Sequence, residues 1–254
     1  MVTEILKPYL EEHGALLSEK QLSQLESYAR LLTEWNEKMN LTAIVDEEGI
    51  ALKHFLDSLA LLRHAEIPNG ARVADVGTGA GFPGVVLKIA RPDIELVLID
   101  SLQKRLNFLE EVLAQTGLSA ELVHARAEDA GHDKKLRESF DFVTARAVAN
   151  LSVLAEYCLP LVKEGGVFAP MKTAEAEQEI AEAKPAVTVL GGEIREVKLY
   201  ELPVAGGRSV VIIDKVRQTP PKYPRQGTKI SKKPIKYAKK QKREHASAFL
   251  STES

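Results

Sequence analysis

Ala74-Asp75-Val76-Gly77-Thr78-Gly79-Ala80-Gly81-Phe82-Pro83-Gly84 is the stretch whose reading decides the fold. It follows the strand-like run Val73–Val76 and opens a helical one, with Pro83 suited to a first helical turn. Glycines let the backbone turn sharply and let a ligand lie directly against it. A glycine-rich loop between strand and helix is shared by dinucleotide-binding and S-adenosylmethionine-binding proteins. Asp75, two residues before the first glycine, separates them, because dehydrogenase fingerprints carry an apolar residue there. A carboxylate in that strand tolerates a cationic methionyl group and repels a diphosphate. The loop therefore points to S-adenosylmethionine, with a nicotinamide dehydrogenase as the rival.

Outward from the loop, strand-like runs at Val73–Val76, Glu95–Ile99, Glu121–His124, Phe140–Thr144 and Gly166–Pro170 alternate with helical stretches near 83–91, 103–116, 149–162 and 174–184. Such alternation implies right-handed crossovers and a parallel sheet. Val187–Leu190 reads as a further extended segment, before a Gly191-Gly192 turn. Glu196–Leu202 and Ser209–Asp214 have no helix between them and must pair antiparallel. The predicted fold is α/β: a Rossmann-like class I methyltransferase with a mostly parallel seven-stranded sheet and antiparallel end strands. Before it, residues 1–66 read as a helical segment. Leu22, Leu25, Ala29, Leu32, Trp35 and Met39 form one apolar stripe that Ser18 caps, and Leu52, Phe55, Leu59 and Leu62 form another over 48–65. The predicted organisation is helices over 1–66, the methyltransferase domain over 67–218 and a basic tail over 219–254.

The 254 residues carry a net charge of −2, unevenly spread. Residues 215–243 hold 12 of the 34 Lys and Arg and no acidic residue, while the first 214 carry 22 basic and 34 acidic side chains. The tail is expected to attract nucleic-acid phosphate, the alternative being a solvated terminus. Tyr223 and Tyr237 within it suit stacking on unpaired bases. The single cysteine, Cys158, excludes an internal disulfide and a multi-cysteine metal site, and reads as a small buried residue. No metal is expected. No apolar run approaches the roughly 18 residues of a membrane span, and the first residues lack the order of a signal peptide, so a cytoplasmic protein is expected.

Asp100 closes the second strand about 20 residues after the glycines, where a carboxylate accepts ribose hydroxyls. Capping the next helix is its alternative role, which Ser101 could equally fill. Arg126-Ala127-Glu128-Asp129, after the third strand, places an amide and a carboxylate beside the expected adenine. The fourth strand ends in Ala145-Arg146-Ala147, without the Asn/Asp-Pro-Pro-aromatic pattern of exocyclic-amine methylation. Cys158 lies too far into the next helix to serve as the nucleophile that pyrimidine C5 chemistry needs. Guanine N7, which loses no proton and needs no base, fits by elimination; small-molecule O- and N-methylation also survive it.

These residues resemble the family of bacterial 16S ribosomal RNA guanine-N7 methyltransferases, historically called glucose-inhibited division protein B. The resemblance runs from about Trp35 to Pro234. Besides the glycine loop, it rests on Trp35-Asn36, Asn40-Leu41-Thr42, His54 with Asp57-Ser58, Asp141, Arg146-Ala147, Gly207-Arg208-Ser209 and Tyr223-Pro224-Arg225. It implies methyl transfer from S-adenosylmethionine to a guanine N7 of 16S ribosomal RNA, with the RNA or the small subunit as partner and a monomeric enzyme. A small-molecule methyltransferase and a non-catalytic, cofactor-holding RNA module are the alternatives. The implied cofactor contacts are Gly77, Gly79, Phe82, Asp100, Ser101, Leu102, Ala127, Glu128 and Arg146. His54, Arg146 and Arg208 are the candidate substrate contacts, and no catalytic acid or base is assigned. His54 and Asp57 share a helix face, and a local hydrogen-bonded pair is their alternative reading. The chain departs from the family pattern at Thr173, after Lys172, and at Thr228-Lys229-Ile230, where glycine and proline respectively are expected.

Overall fold

The computed structural model describes residues 1–12, 16–146 and 149–236. Seven strands form one sheet: β1 (Arg72–Val76), β2 (Glu95–Asp100), β3 (Glu121–His124), β4 (Phe140–Arg146), β5 (Val162–Thr173), β6 (Gly192–Leu202) and β7 (Gly206–Lys215). Their order is β3-β2-β1-β4-β5-β7-β6. β1 to β5 are parallel, whereas β7 runs antiparallel between β5 and β6. The order reverses between β1 and β4, and ligands of open α/β sheets bind beyond the carboxyl ends of the strands at such a point. Register brings Asp75 opposite Leu98 on one side and Thr144 on the other. The glycine loop, Asp100 and Arg146 therefore emerge at one edge.

Side chains alternate across the strands into two layers of core. Val73, Leu96 and Leu98 join the cluster that holds Leu25, Tyr28, Phe55 and Phe108; Ala74, Val97 and Ile99 join that of Leu154, Cys158, Ala183 and Ile213. The first layer comprises α1 (Val2–Leu6), α2 (Glu19–Asn36), a helical run from Glu47 to His64, α5 (Gly84–Ala90) and α6 (Gln103–Thr116). Ser18 caps α2 through a box with Gln21, as the sequence suggests. The run from Glu47 consists of α3 (Glu47–Gly49), a π segment at Ile50–Leu56 and α4 (Asp57–His64). The second layer holds α8 (Leu151–Cys158) and α9 (Glu177–Val189), with the one-turn α7 (Ala127–Ala130) nearby.

One expected extended segment is helical instead. Val187–Leu190 belongs to the C-terminal turn and cap of α9, and β6 starts only at Gly192. Its β-branched residues favour strands, but Ala183, Ala186, Val187 and Leu190 repeat at helical spacing and are all buried. Burial against α8 prevails over local propensity, and the helix continues through Pro185.

The chain after β7 stays on the domain as far as it is described. Lys215, fully buried, donates to the Leu159 and Val162 carbonyls and pairs with Glu138 at 3.1 Å. Arg137 holds the carbonyls of Thr219 and Tyr223. α10 (Gly227–Lys232) then packs on α8, anchored by the fully buried Ile230. These contacts cross the boundary at 219 that charge alone suggests. Tyr223 is half-buried and packs in part against the core, with Lys222 Nζ 5.3 Å from its ring centroid. Tyr237, and Lys239 to Arg243, lie outside the described residues.

Candidate functional site

Asp75 holds the glycine loop in shape. Its carboxylate is fully buried, and Oδ2 accepts from Thr78 Oγ1 at 2.7 Å and from the Gly84 amide at 2.9 Å. It thus ties the loop's start to the first residue of α5; a direct role toward a cation is not needed to explain its position. Gly81, at φ +97°, has no room for a side chain, since an added Cβ would lie 2.6 Å from the Tyr28 hydroxyl. That hydroxyl donates to the Ala80 carbonyl, so α2 clamps the loop from outside.

Burial raises the Asp75 carboxyl to about 6 against the opposing donors, Thr78 and Gly84, and Oδ1 has no partner. A carboxyl that binds its proton more tightly when folded contributes stability below its unfolded value near 3.8, and loses it as the pH rises through 6. Asp75→Asn should therefore exceed the cofactor-free wild type by about 1 kcal/mol at pH 4.5 and by at most roughly 3 kcal/mol at pH 7.5 in urea unfolding. Equal differences at the two pH values would exclude this account. His54 titrates with the opposite sign and cancels in the comparison.

A cleft of about 470 Å³ opens beside the loop, lined by Val76, Gly77, Asp100, Ser101, Arg105, Ala127, Glu128 and Tyr157, among others. Asp100 is almost fully buried at the end of β2. Its Oδ2 accepts from the Gly79 amide at 2.9 Å and from Arg105 at 3.3 Å, and its Oδ1 accepts from the Leu102 amide at 2.9 Å. Leu102 itself is the N-cap of α6 with no side-chain cap bond, so Ser101 does not cap that helix. The cleft's size and donor set fit an adenosine-type cofactor: a carboxylate for a ribose diol, with a backbone turn and Glu128 across from it. Five of the nine expected cofactor residues line this cleft: Gly77, Asp100, Ser101, Ala127 and Glu128. Gly79 and Leu102 instead bond to Asp100, and Phe82 and Arg146 lie on the loop's other side.

There a second cleft of about 450 Å³ is lined by Lys53, His54, Asp57, Arg146, Lys172, Glu179 and Arg208, among others. The π segment makes it possible. Its widened turn directs the Lys53 and His54 carbonyls at Arg146 Nη1, 3.3 and 3.5 Å away, and π turns often sit at functional sites. Arg146 also donates to Asp57 Oδ2 at 2.9 Å, and its Nη2 lies 3.3 Å from His54 Nδ1. Phe82 backs this second cleft: the His54 ring stacks on it at 4.4 Å and the Arg146 guanidinium lies 5.0 Å from its centroid. Asp57 also accepts from the Tyr200 hydroxyl at 3.3 Å and faces Arg208 Nε at 3.7 Å. His54 and Asp57 are thus no isolated helix pair; both converge on Arg146.

His54 Nε2 meets Thr42 Oγ1 at 2.9 Å, and Asn36 Oδ1 fixes that loop by accepting from the Leu41 and Thr42 amides. Burial, then the Arg146 charge, lowers the His54 pKa to about 3, so the ring is neutral near pH 7. Lys172 pairs with Glu179 at 2.6 Å across the same cleft. Sequence reasoning omitted Tyr157, Lys172, Glu179, Tyr200 and the α10 residues Gly227, Thr228 and Ser231. Of these, only Lys172, Gly227 and Thr228 stood near a noticed signal, the departures from the family pattern. Among the described residues no His/Cys/Asp/Glu group could hold a metal, and no helix is long and apolar enough to cross a membrane.

Comparison with known proteins agrees with this fold. Among solved structures, a SAM-dependent O-methyltransferase from Thermotoga maritima superposes with a TM-score of 0.52 at 16% identity, over 74% of this chain and 73% of that one. TrmN from Thermus thermophilus gives 0.50 at 23% identity, over 63% and 48%. At these identities the likeness establishes the fold alone, and it is the class I methyltransferase fold. The ribosomal RNA small subunit methyltransferase G of Geobacillus sp. (strain WCH70) is 51% identical over 89% of this chain and 96% of its own length. That of Alkaliphilus oremlandii (strain OhILAs) is 48% identical over 92% and 98%. The GidB description, rRNA small subunit methyltransferase G, matches residues 21–204, and the chain belongs to that family.

Proposed function

We propose that this chain transfers the methyl group of S-adenosylmethionine to N7 of a guanine in 16S ribosomal RNA. The chain is an S-adenosylmethionine-dependent ribosomal RNA methyltransferase by family, and the finer assignment rests on the paired clefts. The observation that carries it is the pair of clefts. A cleft suited to adenosine lies on one side of the glycine loop, and a cleft rich in Lys and Arg lies on the other. On this reading Gly77, Gly79, Phe82, Asp100, Ser101, Leu102, Ala127 and Glu128 hold or shape the cofactor site. Arg146 lines the second cleft, where His54 and Arg208 border the guanine.

When bound, S-adenosylmethionine supplies an electrophilic methyl on a sulfonium sulfur. As the methyl passes to N7, its bond to sulfur breaks and one to nitrogen forms, moving the positive charge onto the base without releasing a proton. The residues match that demand. His54 holds no spare proton near pH 7 and is a weak base at about 3, and no other titratable group is needed. What the protein contributes is alignment: Arg146, locked by Asp57 and by two helix carbonyls, provides a rigid donor face beside Phe82.

The test is transfer of labelled methyl to small ribosomal subunits from cells lacking the protein, followed by borohydride and aniline cleavage at N7-methylguanine. One new, protein-dependent cut is expected. Label without a cut would discard the N7 assignment, and label confined to a small molecule would discard RNA. We also propose that the enzyme is a cytoplasmic monomer acting on the small subunit, and that its tail attracts phosphate. Removing residues 237–254, with four Lys and Arg, should lower the salt slope of RNA binding by up to about 3 while leaving cofactor affinity intact. An unchanged slope would remove the tail from the binding site.

A further inference from the structure

We propose that the segment 219–236 is the outer wall of the cofactor cleft, seated by the buried Glu156–Arg225 pair, so that these two are positioning residues for the cofactor. The proposal rests on assigning the first cleft to S-adenosylmethionine.

Gly227, Thr228 and Ser231 of α10 line that cleft together with Asp100, Glu128 and Tyr157. Without them it would be open on that side. The wall closely approaches the body: a Cβ on Gly227 would lie 2.0 Å from Glu128 Oε1, so a side chain there would turn aside the Glu128 carboxylate that lines the cleft. Seating comes from the residues just before. Glu156, fully buried on α8 next to cleft-lining Tyr157, accepts three hydrogen bonds from Arg225. The Arg225 amide and Nε each donate to Oε1 at 2.8 Å, and Nη2 donates to Oε2 at 2.6 Å. No other donor reaches that carboxylate among the described contacts. A buried carboxylate is retained at a desolvation cost that well-packed apolar residues avoid, so its use is to fix geometry. The grip of a planar guanidinium plus its own amide fixes both backbone and side chain of Arg225. His132 meets the Pro224 carbonyl at 2.7 Å, and Arg225 reaches forward to the Lys233 carbonyl at 3.0 Å, bracketing α10 on both sides.

Unseating this wall exposes the cleft without touching the Arg146 cluster. Cofactor should then leave faster, while transfer from the bound state continues. Three full-length variants test this: Arg225→Gln, which breaks the seat; Ile230→Ala, which removes the buried anchor of α10 with the seat intact; and Asp100→Ala, which marks the cleft itself. Calorimetric titration with S-adenosylhomocysteine is expected to show Kd raised about ten-fold or more in the first two. KM for S-adenosylmethionine should rise in parallel, with kcat at saturating cofactor within about two-fold of wild type. Wild-type affinity in Ile230→Ala and Arg225→Gln, with Asp100→Ala weakened, would overturn the wall while leaving the cleft assignment standing. So would a loss confined to kcat, which marks a merely structural effect. Wild-type affinity in all three would overturn the cleft assignment and the wall with it. Should Arg225→Gln fail to fold, Ile230→Ala decides the question alone.

Discussion

Arg146→Ala is expected to lower methyl transfer to RNA by two to three orders of magnitude, roughly 3–4 kcal/mol of transition-state stabilisation. The size follows from how many constraints end on this one side chain. It is largely buried at the end of β4 and bonded to Asp57, to the Lys53 and His54 carbonyls and to the His54 ring. Chemistry without proton transfer leaves positioning as the main source of rate, and misplacement by about an ångström can cost a hundred-fold. Arg146→Lys should recover little, because an ammonium cannot reproduce the planar fork. Alanine also leaves Asp57 with a buried charge held only by Tyr200 and the more distant Arg208, so a fall in stability is expected too. The double variant Arg146→Ala, Asp57→Asn separates the two effects. Stability should return in the pair and activity should not. Activity restored along with stability would reduce Arg146 to a structural ion-pair partner.

The contrast between the two clefts explains what the sequence discloses. The cleft proposed for the cofactor takes Val76 and Gly77 from the start of the glycine loop and most of its other lining from the ends of β2 and β3 and the turns after them. Strand–helix rhythm and glycine spacing fix such an arrangement locally, so Gly77, Asp100, Ala127 and Glu128 were legible. The second cleft gathers Thr42, a π turn, β4, β6 and β7, and its bonds span separations such as 89 and 143 residues. No periodicity reports which distant residues meet there, and nothing local signals a helix widened at Ile50–Leu56. Tyr200 was hidden for this reason, reading only as one residue of an alternating strand. The α10 wall was hidden by its composition. Its lysines suggest a solvated tail, and the decisive partner, Glu156, lies 69 residues earlier on an apolar helix. Val187–Leu190 failed differently, where packing against α8 outweighed β-branched composition.

Asp100→Ala should raise the dissociation constant for S-adenosylhomocysteine about a hundred-fold, through two losses that a second ligand can separate. A carboxylate offers about four acceptor sites, and three donors already use them: the Gly79 amide, the Leu102 amide and Arg105. The two amides shape the loop and the start of α6. Arg105, the longest of the three contacts and a partly exposed side chain, is the one a ribose diol would displace. Hydrogen bonds to a charged group contribute about 1.5–3 kcal/mol each, enough for the expected effect if one such bond goes and the loop also relaxes. The 2′-deoxy form of the ligand divides these contributions. Wild type should bind it about ten-fold more weakly than the ribose form, and Asp100→Ala should bind the two alike, because the carboxylate that distinguishes them is gone. Equal discrimination in wild type and variant would mean that Asp100 acts only by holding Gly79 and Leu102, with the diol recognised elsewhere. In that case Arg105→Ala should leave cofactor affinity unchanged, whereas displacement by the diol predicts that removing Arg105 tightens binding by freeing the acceptor in advance.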